Sequence, residues 1–161
     1  MKPTKRPGKK SSKPRVKLKP EHHLAKADKT LALLIKRAGP LAIKIKSKQE
    51  PYESLVESVV YQQLHGKAAA TILARVKALF PENCIPHPDL LIAMSDEKLR
   101  AAGLSRSKLL AIKDVALKTK EGVVPTRKEI LKLSNEEIQM RLTQIRGIGR
   151  WTVDMLLIFS L

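Results

Sequence analysis

The residues with the clearest chemical meaning are Ile145-Arg146-Gly147-Ile148-Gly149-Arg150. Two glycines around one aliphatic residue make a tight turn whose main chain can come close to a ligand. Where a helix starts directly after such a turn, its first amides converge on one point, and that point holds a phosphate. Arg146 and Arg150 add positive charge beside it, and Ile148 is placed to anchor the turn in the core. The chemistry is a grip on a nucleic-acid backbone that is indifferent to base sequence. In isolation, an ordinary glycine-rich connection between two helices reads the same way. Other side chains offer less. The lone Cys84 allows neither an internal disulfide nor a cysteine-held cluster, and His22, His23, His65 and His87 have no metal-ligand spacing with it. No metal and no cofactor are expected.

A turn of this kind works between two helices, and the flanking sequence supplies them. Ser134 with Glu137 matches the reciprocal capping box that opens a helix, and a strongly apolar run follows from Arg150. Further upstream, helical spacing predicts one helix from Leu24 to Ala38, stopped by Gly39-Pro40. A second opens near Pro51, with Leu55, Val56, Val59 and Val60 on one face, and a third runs from Lys67 until Pro81 breaks it. Short helices follow over Asp89 to Met94 and Ser95 to Ala102, with Ser95 as N-cap and Gly103 closing. A longer one covers Ser107 to Lys120 and ends at Gly122, and Thr126 with Glu129 opens another. Leu41 to Lys46 alternates apolar and basic residues and predicts a short extended segment. The fold class is all-α. The final helix reaches Leu161 without a Gly cap or a basic last turn, although helix ends need partners. The expectation is therefore a chain incomplete at its C-terminus.

Charge points the same way as the turn. The formal net charge is +17, and a chain this basic attracts polyanions. Lys2, Lys5, Arg6, Lys9, Lys10, Lys13, Arg15, Lys17 and Lys19 fall in residues 1–20, which hold no acid, so the remainder still carries +8. That stretch also contains Pro3, Pro7, Pro14 and Pro20 and is read as a disordered basic arm, with the folded domain over 21–161. It lacks the apolar stretch of a secretory signal, and nothing in the chain is long and apolar enough to span a membrane.

Three segments resemble one known family. Leu142-Thr-Gln-Ile-Arg-Gly-Ile-Gly-Arg-Trp-Thr152 is similar to the helix-hairpin-helix of DNA-3-methyladenine glycosylase II and its relatives. Val59-Val-Tyr-Gln-Gln-Leu-His-Gly-Lys-Ala-Ala-Ala-Thr-Ile72 resembles that family's Gln-Gln segment, and Leu99-Arg-Ala-Ala-Gly-Leu-Ser-Arg-Ser-Lys108 its Gly-Leu-Ser-x-x-Lys turn. The resemblance implies a base-excision-repair enzyme. Such an enzyme rotates an alkylated purine, such as 3-methyladenine, out of duplex DNA and hydrolyses its glycosidic bond.

It also implies roles for particular residues. Arg146, Gly147, Ile148, Gly149, Arg150 and Thr152 would bind DNA, while Tyr61, Gln62, Gln63 and Trp151 would form the base pocket and the wedge filling the vacated gap. Family members that also cut the strand carry a lysine where Trp151 stands, so a monofunctional glycosylase is implied. The indole suits a cationic alkylated purine, although core packing would equally explain a tryptophan. The family's catalytic aspartate, which stabilises charge developing on the sugar, falls beyond Leu161. Asp154 lies too close to the hairpin to replace it, so no catalytic residue is assigned within this chain and the fragment itself is expected to be inactive.

Two other readings stay open at this level. One is a non-catalytic helix-hairpin-helix module that binds DNA through phosphates. The other is an RNA-binding or membrane-surface helical protein acting through the arm alone. The partner expected under the leading reading is duplex DNA containing alkylated bases, bound by a monomer. The setting would be bacterial cytoplasm, beside the nucleoid, or a eukaryotic nucleus.

Overall fold

The computed structural model describes residues 20–39 and 48–161, which belong to two separate compact units. The arm expected over 1–20, Pro20 apart, and the extended segment expected over 41–46 lie outside the described residues. All described regular structure is helical, with no strand among the described residues.

In the first unit, the single helix expected over 24–38 is two. α1 is Pro20–Ala27 and α2 is Lys29–Ala38, and the residue between them, Asp28, has extended backbone. Its carboxylate accepts the amide of Leu31 at 2.8 Å. An acid that satisfies an orphan amide starts a helix, and apolar periodicity running on across Asp28 hid that break. Gly39 closes α2 with φ of 79°, as the Gly39-Pro40 stop implied.

The second unit contains α3 (Pro51–Tyr61), α4 (Gly66–Lys77), α5 (Pro88–Ala93), α6 (Asp96–Ala101), α7 (Arg106–Lys120), α8 (Arg127–Ile130), α9 (Asn135–Leu142) and α10 (Arg150–Phe159). Local chemistry explains the boundaries. Pro51 and Pro88 occupy first turns, where a missing N–H leaves no bond unmade. Ser95 caps α6 as expected. α7 starts one residue early because Ser105 Oγ accepts the amide of Lys108 at 3.3 Å. Both anticipated capping boxes form, Thr126 with Glu129 and Ser134 with Glu137.

Those boxes carry a pH dependence. Amide and hydroxyl donors of Thr126 and of Ser134 hold the carboxyls of Glu129 and Glu137 below the ordinary value of 4.5. The folded pKa is the lower one, so this stabilisation is full above the unfolded value and is lost as pH falls through the folded value. Thermal midpoints followed from neutral into acid should therefore fall less in the double variant Glu129→Gln/Glu137→Gln than in the parent. Parallel curves would show that the boxes contribute nothing to acid sensitivity.

α7 is the centre of the second unit, packing on α3, α5 and α6, while α10 packs on α3 and α9. α3 buries Leu55, Val56, Val59 and Val60, the face its periodicity predicts, and α7 buries Leu109, Ile112, Val115 and Ala116. Each large aliphatic side chain so buried is worth about 1.5–3 kcal/mol. A surface pair such as Lys113 with Asp96, at 2.5 Å, is worth at most about 1 kcal/mol. Apolar burial therefore fixes the α3–α7 frame on which the hairpin rests. At the other end of α10, Arg127 donates to the Ser160 carbonyl at 2.6 Å and Ser54 to the Ser160 hydroxyl at 3.2 Å, so this helix end does have partners.

Candidate nucleic-acid interface

α9 ends at Leu142 and α10 begins at Arg150, and residues 143–149 form the hairpin between them. Ile145 and Ile148 are 2% and 4% exposed, so Ile148 does anchor the turn. The two glycines differ in kind. Gly147 has φ of 77°, and a Cβ there would lie 3.0 Å from the Cβ of Ala111 on α7. Gly149 has φ of −95° as N-cap of α10, and a Cβ there would meet nothing within 4 Å. Internal packing requires the first glycine, while the second opens to solvent.

The main-chain donors around the corner are largely unspent. Among the described residues, the amides of Gly147, Gly149, Arg150 and Trp151 have no partner, and α10 has no side-chain cap. Arg146 differs, since its amide donates to Asp114 Oδ2 at 2.7 Å. Its guanidinium and that of Arg150 remain on exposed residues. Thr152 faces inward; it is buried, and its Oγ1 accepts from Gln62 Nε2 at 3.3 Å. The corner is thus exposed and cationic, with three free amides at the head of a helix.

Beside it, between the end of α3 and the first turn of α10, lies an open cleft of about 660 Å³. Tyr61, Gln62, Gln63 and Trp151 all line it, together with Leu64 and Met155. An adjoining hollow of about 340 Å³ shares Tyr61 and Met155 and reaches Leu73, Leu156 and Phe159. A mostly apolar recess of this size suits a flat aromatic ring. Trp151 is 68% exposed, so it is not a core tryptophan within the described residues. α3 stops at Tyr61, so the two glutamines are not residues on a helix face. Gln62 is the C-cap, and Gln63 adopts φ of 55° at the rim of the cleft. Asp154 accepts from Gln139 at 2.8 Å and does not line the cleft.

Three residues that fasten this region carried little or no signal in the sequence. Lys108 Nζ donates to the Val60 carbonyl at 2.6 Å, and burial pulls its pKa below that of a free lysine. Ala111 forms the floor under Gly147, and Asp114 holds the Arg146 amide. Only Lys108 lies within one of the three segments that carry the family resemblance. Ala111 and Asp114 sit unmarked in an amphipathic helix, and only the tertiary fold brings them under the hairpin.

A helical unit that sets a Gly-x-Gly corner at the head of one helix, beside an apolar cleft, has the helix-hairpin-helix arrangement. The chain belongs to the HhH-GPD superfamily of base excision DNA repair proteins, whose profile its residues 56–150 match. It is 45% identical, over 89% of its length, to DNA-3-methyladenine glycosylase 1 of Schizosaccharomyces pombe, and spans 63% of that protein. Among solved structures, it superposes with a TM-score of 0.81 on the S. pombe 3-methyladenine DNA glycosylase (Mag1) in complex with abasic DNA. Identity there is 45%, covering 88% of this chain and 69% of that one. A DNA-3-methyladenine glycosidase from Bacillus halodurans superposes with a TM-score of 0.74 at 35% identity, covering 88% of this chain and 64% of that one.

Proposed function

We propose that this chain is the DNA-recognition and base-flipping part of a monofunctional glycosylase of the DNA-3-methyladenine glycosylase II type, acting on alkylated purines in duplex DNA. The observation that carries this reading is the juxtaposition of the free amides of Gly149, Arg150 and Trp151 with the cleft lined by Tyr61, Gln63 and Trp151. A phosphate held at the head of α10 brings the strand past the mouth of a recess sized for a base. Gln63, at the rim, is the wedge that fills the gap. Trp151 and Tyr61 offer electron-rich faces to a purine that alkylation has made cationic. Gly147 and Ile148 shape the corner, Thr152 steadies it from within, and Arg146 and Arg150 supply charge to the backbone. Trp151 in place of a lysine leaves no amine for a Schiff base, which supports hydrolysis without strand cleavage.

The excision step is assigned to a protein that also contains the aspartate placed past Leu161 by the family resemblance. These 161 residues carry binding and flipping, with the basic arm over 1–20 as a nonspecific tether. The test is release of 3-methyladenine from alkylated duplex DNA, by this chain alone and by a protein extended to include that aspartate. Release by the extended protein only is the expected result. Duplex binding without release by either, in folded samples, would favour the non-catalytic module.

Trp151 gives a narrower check. So exposed a side chain contributes little to folding, so Trp151→Ala should change stability by no more than about 0.5 kcal/mol. Single-turnover excision of a cationic purine by the extended protein should fall roughly tenfold, as expected for loss of a desolvated cation–π contact. Equal losses on a neutral lesion would remove the charge argument.

A further inference from the structure

We infer that Gln62 and Lys108 form a two-point clamp that fixes the backbone on the N-terminal side of Gln63, so that the wedge stands where the hairpin places it. The inference rests on the wedge reading of Gln63. A helix end leaves carbonyls without partners, and α3 ends at the rim of the cleft. The Lys108 ammonium meets the Val60 carbonyl there at 2.6 Å. A lysine in the first turn of a helix opposes that helix's own dipole, and Lys108 sits in the first turn of α7. At the C-terminal end of α3 the same charge is favourable, so the position makes sense across helices and not within one.

Gln62 supplies the second point. Its Nε2 donates to the Gly147 carbonyl at 2.9 Å and to Thr152 Oγ1 at 3.3 Å. Both amide hydrogens are spent on the hairpin and cannot also read a base. α7 closes the circuit, because Ala111 lies under Gly147 and Asp114 holds the Arg146 amide. The end of α3, the hairpin and α7 as far as Asp114 therefore form a ring of contacts between segments far apart in sequence. Gln63 follows directly with φ of 55°. A non-glycine residue holds that conformation only where its surroundings over-determine it. On its far side, Leu64 donates to the Tyr61 carbonyl at 3.3 Å and His65 Nδ1 accepts the Lys67 amide at 3.4 Å. The strained wedge is thus held from both flanks, and one flank is tied to the phosphate-binding corner. Gln62 and Lys108 are positioning residues.

The test compares the affinity of the 161-residue chain for an intact duplex with that for the same duplex carrying an abasic-site analogue. The ratio reports insertion into a preformed gap. Gln62→Met keeps the side chain's length but has no donor, and should cut the ratio about tenfold. Gln63→Ala should cut it as well. The double variant should lose no more than Gln63→Ala alone, because residues acting through one wedge are not additive. Lys108→Arg should keep the ratio and Lys108→Met should lower it. A merely structural role would lower the melting temperature and both affinities together, leaving the ratio unmoved.

Additive losses would mean that Gln62 touches DNA by itself, and would overturn the clamp. A ratio that falls in Gln63→Ala but not in Gln62→Met would also overturn it while leaving the wedge standing. A ratio unmoved in Gln63→Ala would sink both. Lys108→Met at the parent ratio would remove the second point. Should Gln62→Met fail to fold, Gln62→Asn, whose shorter arm withdraws the amide, gives the same comparison.

Discussion

Gly149→Val should fold and yet lose duplex affinity by roughly ten- to hundredfold, the worth of one charge-assisted hydrogen bond of about 1.5–3 kcal/mol. The residue's φ of −95° is open to any side chain, and a Cβ would meet no atom of the protein within 4 Å. The cost to folding is thus limited to the poor N-cap preference of valine, about 1 kcal/mol. Space that is empty in the free protein is where a phosphate must sit to reach the amides of Gly149, Arg150 and Trp151. Two branched methyls there hold the strand off. Anisotropy titration on a short duplex reads the effect, and a melting curve on the same sample separates it from misfolding. A folded Gly149→Val chain with parent affinity would take the hairpin out of the interface.

How much of this was legible in the sequence depended on the range of the interaction. Capping boxes are written within four residues, so Thr126 with Glu129 and Ser134 with Glu137 could be read directly, as could the stops at Gly39, Gly103 and Gly122. The same local logic was available at Asp28, where periodicity on both sides outweighed a cap that breaks one helix into two. The Gly-x-Gly corner was legible as a motif, but the unlike roles of its glycines were not. Only the position of Ala111 shows that one is demanded by packing and the other is free. For Trp151, sequence could not choose between core and cleft, because an indole serves both; its exposure decided. Gln62 and Gln63 read as a pair, yet one faces the hairpin and the other bends into a left-handed turn. That division comes from where α3 ends, which no residue type announces.

Gly147→Val should act in the opposite sense to Gly149→Val, destabilising the second unit itself. At φ of 77°, a β-branched residue pays about 1–2 kcal/mol or more for the left-handed backbone. Its Cβ would also lie 3.0 Å from that of Ala111, a buried residue on α7 that cannot yield without moving the helix. Overpacking of that kind adds about 1–3 kcal/mol. Together the penalties reach roughly 2–5 kcal/mol, a large share of the 5–15 kcal/mol that holds a typical domain together, and the melting point should fall by about 10–20 °C. Ala111→Gly separates the two causes. Alone it costs about 1 kcal/mol of helix propensity. Combined with Gly147→Val, it removes the clash and leaves the backbone strain, so the double variant should melt above Gly147→Val. If it melts lower, by the sum of the two single losses, the methyl contact is not what holds the hairpin on α7. The Asp114 carboxylate on the Arg146 amide and the clamp through Gln62 would then have to bear that load.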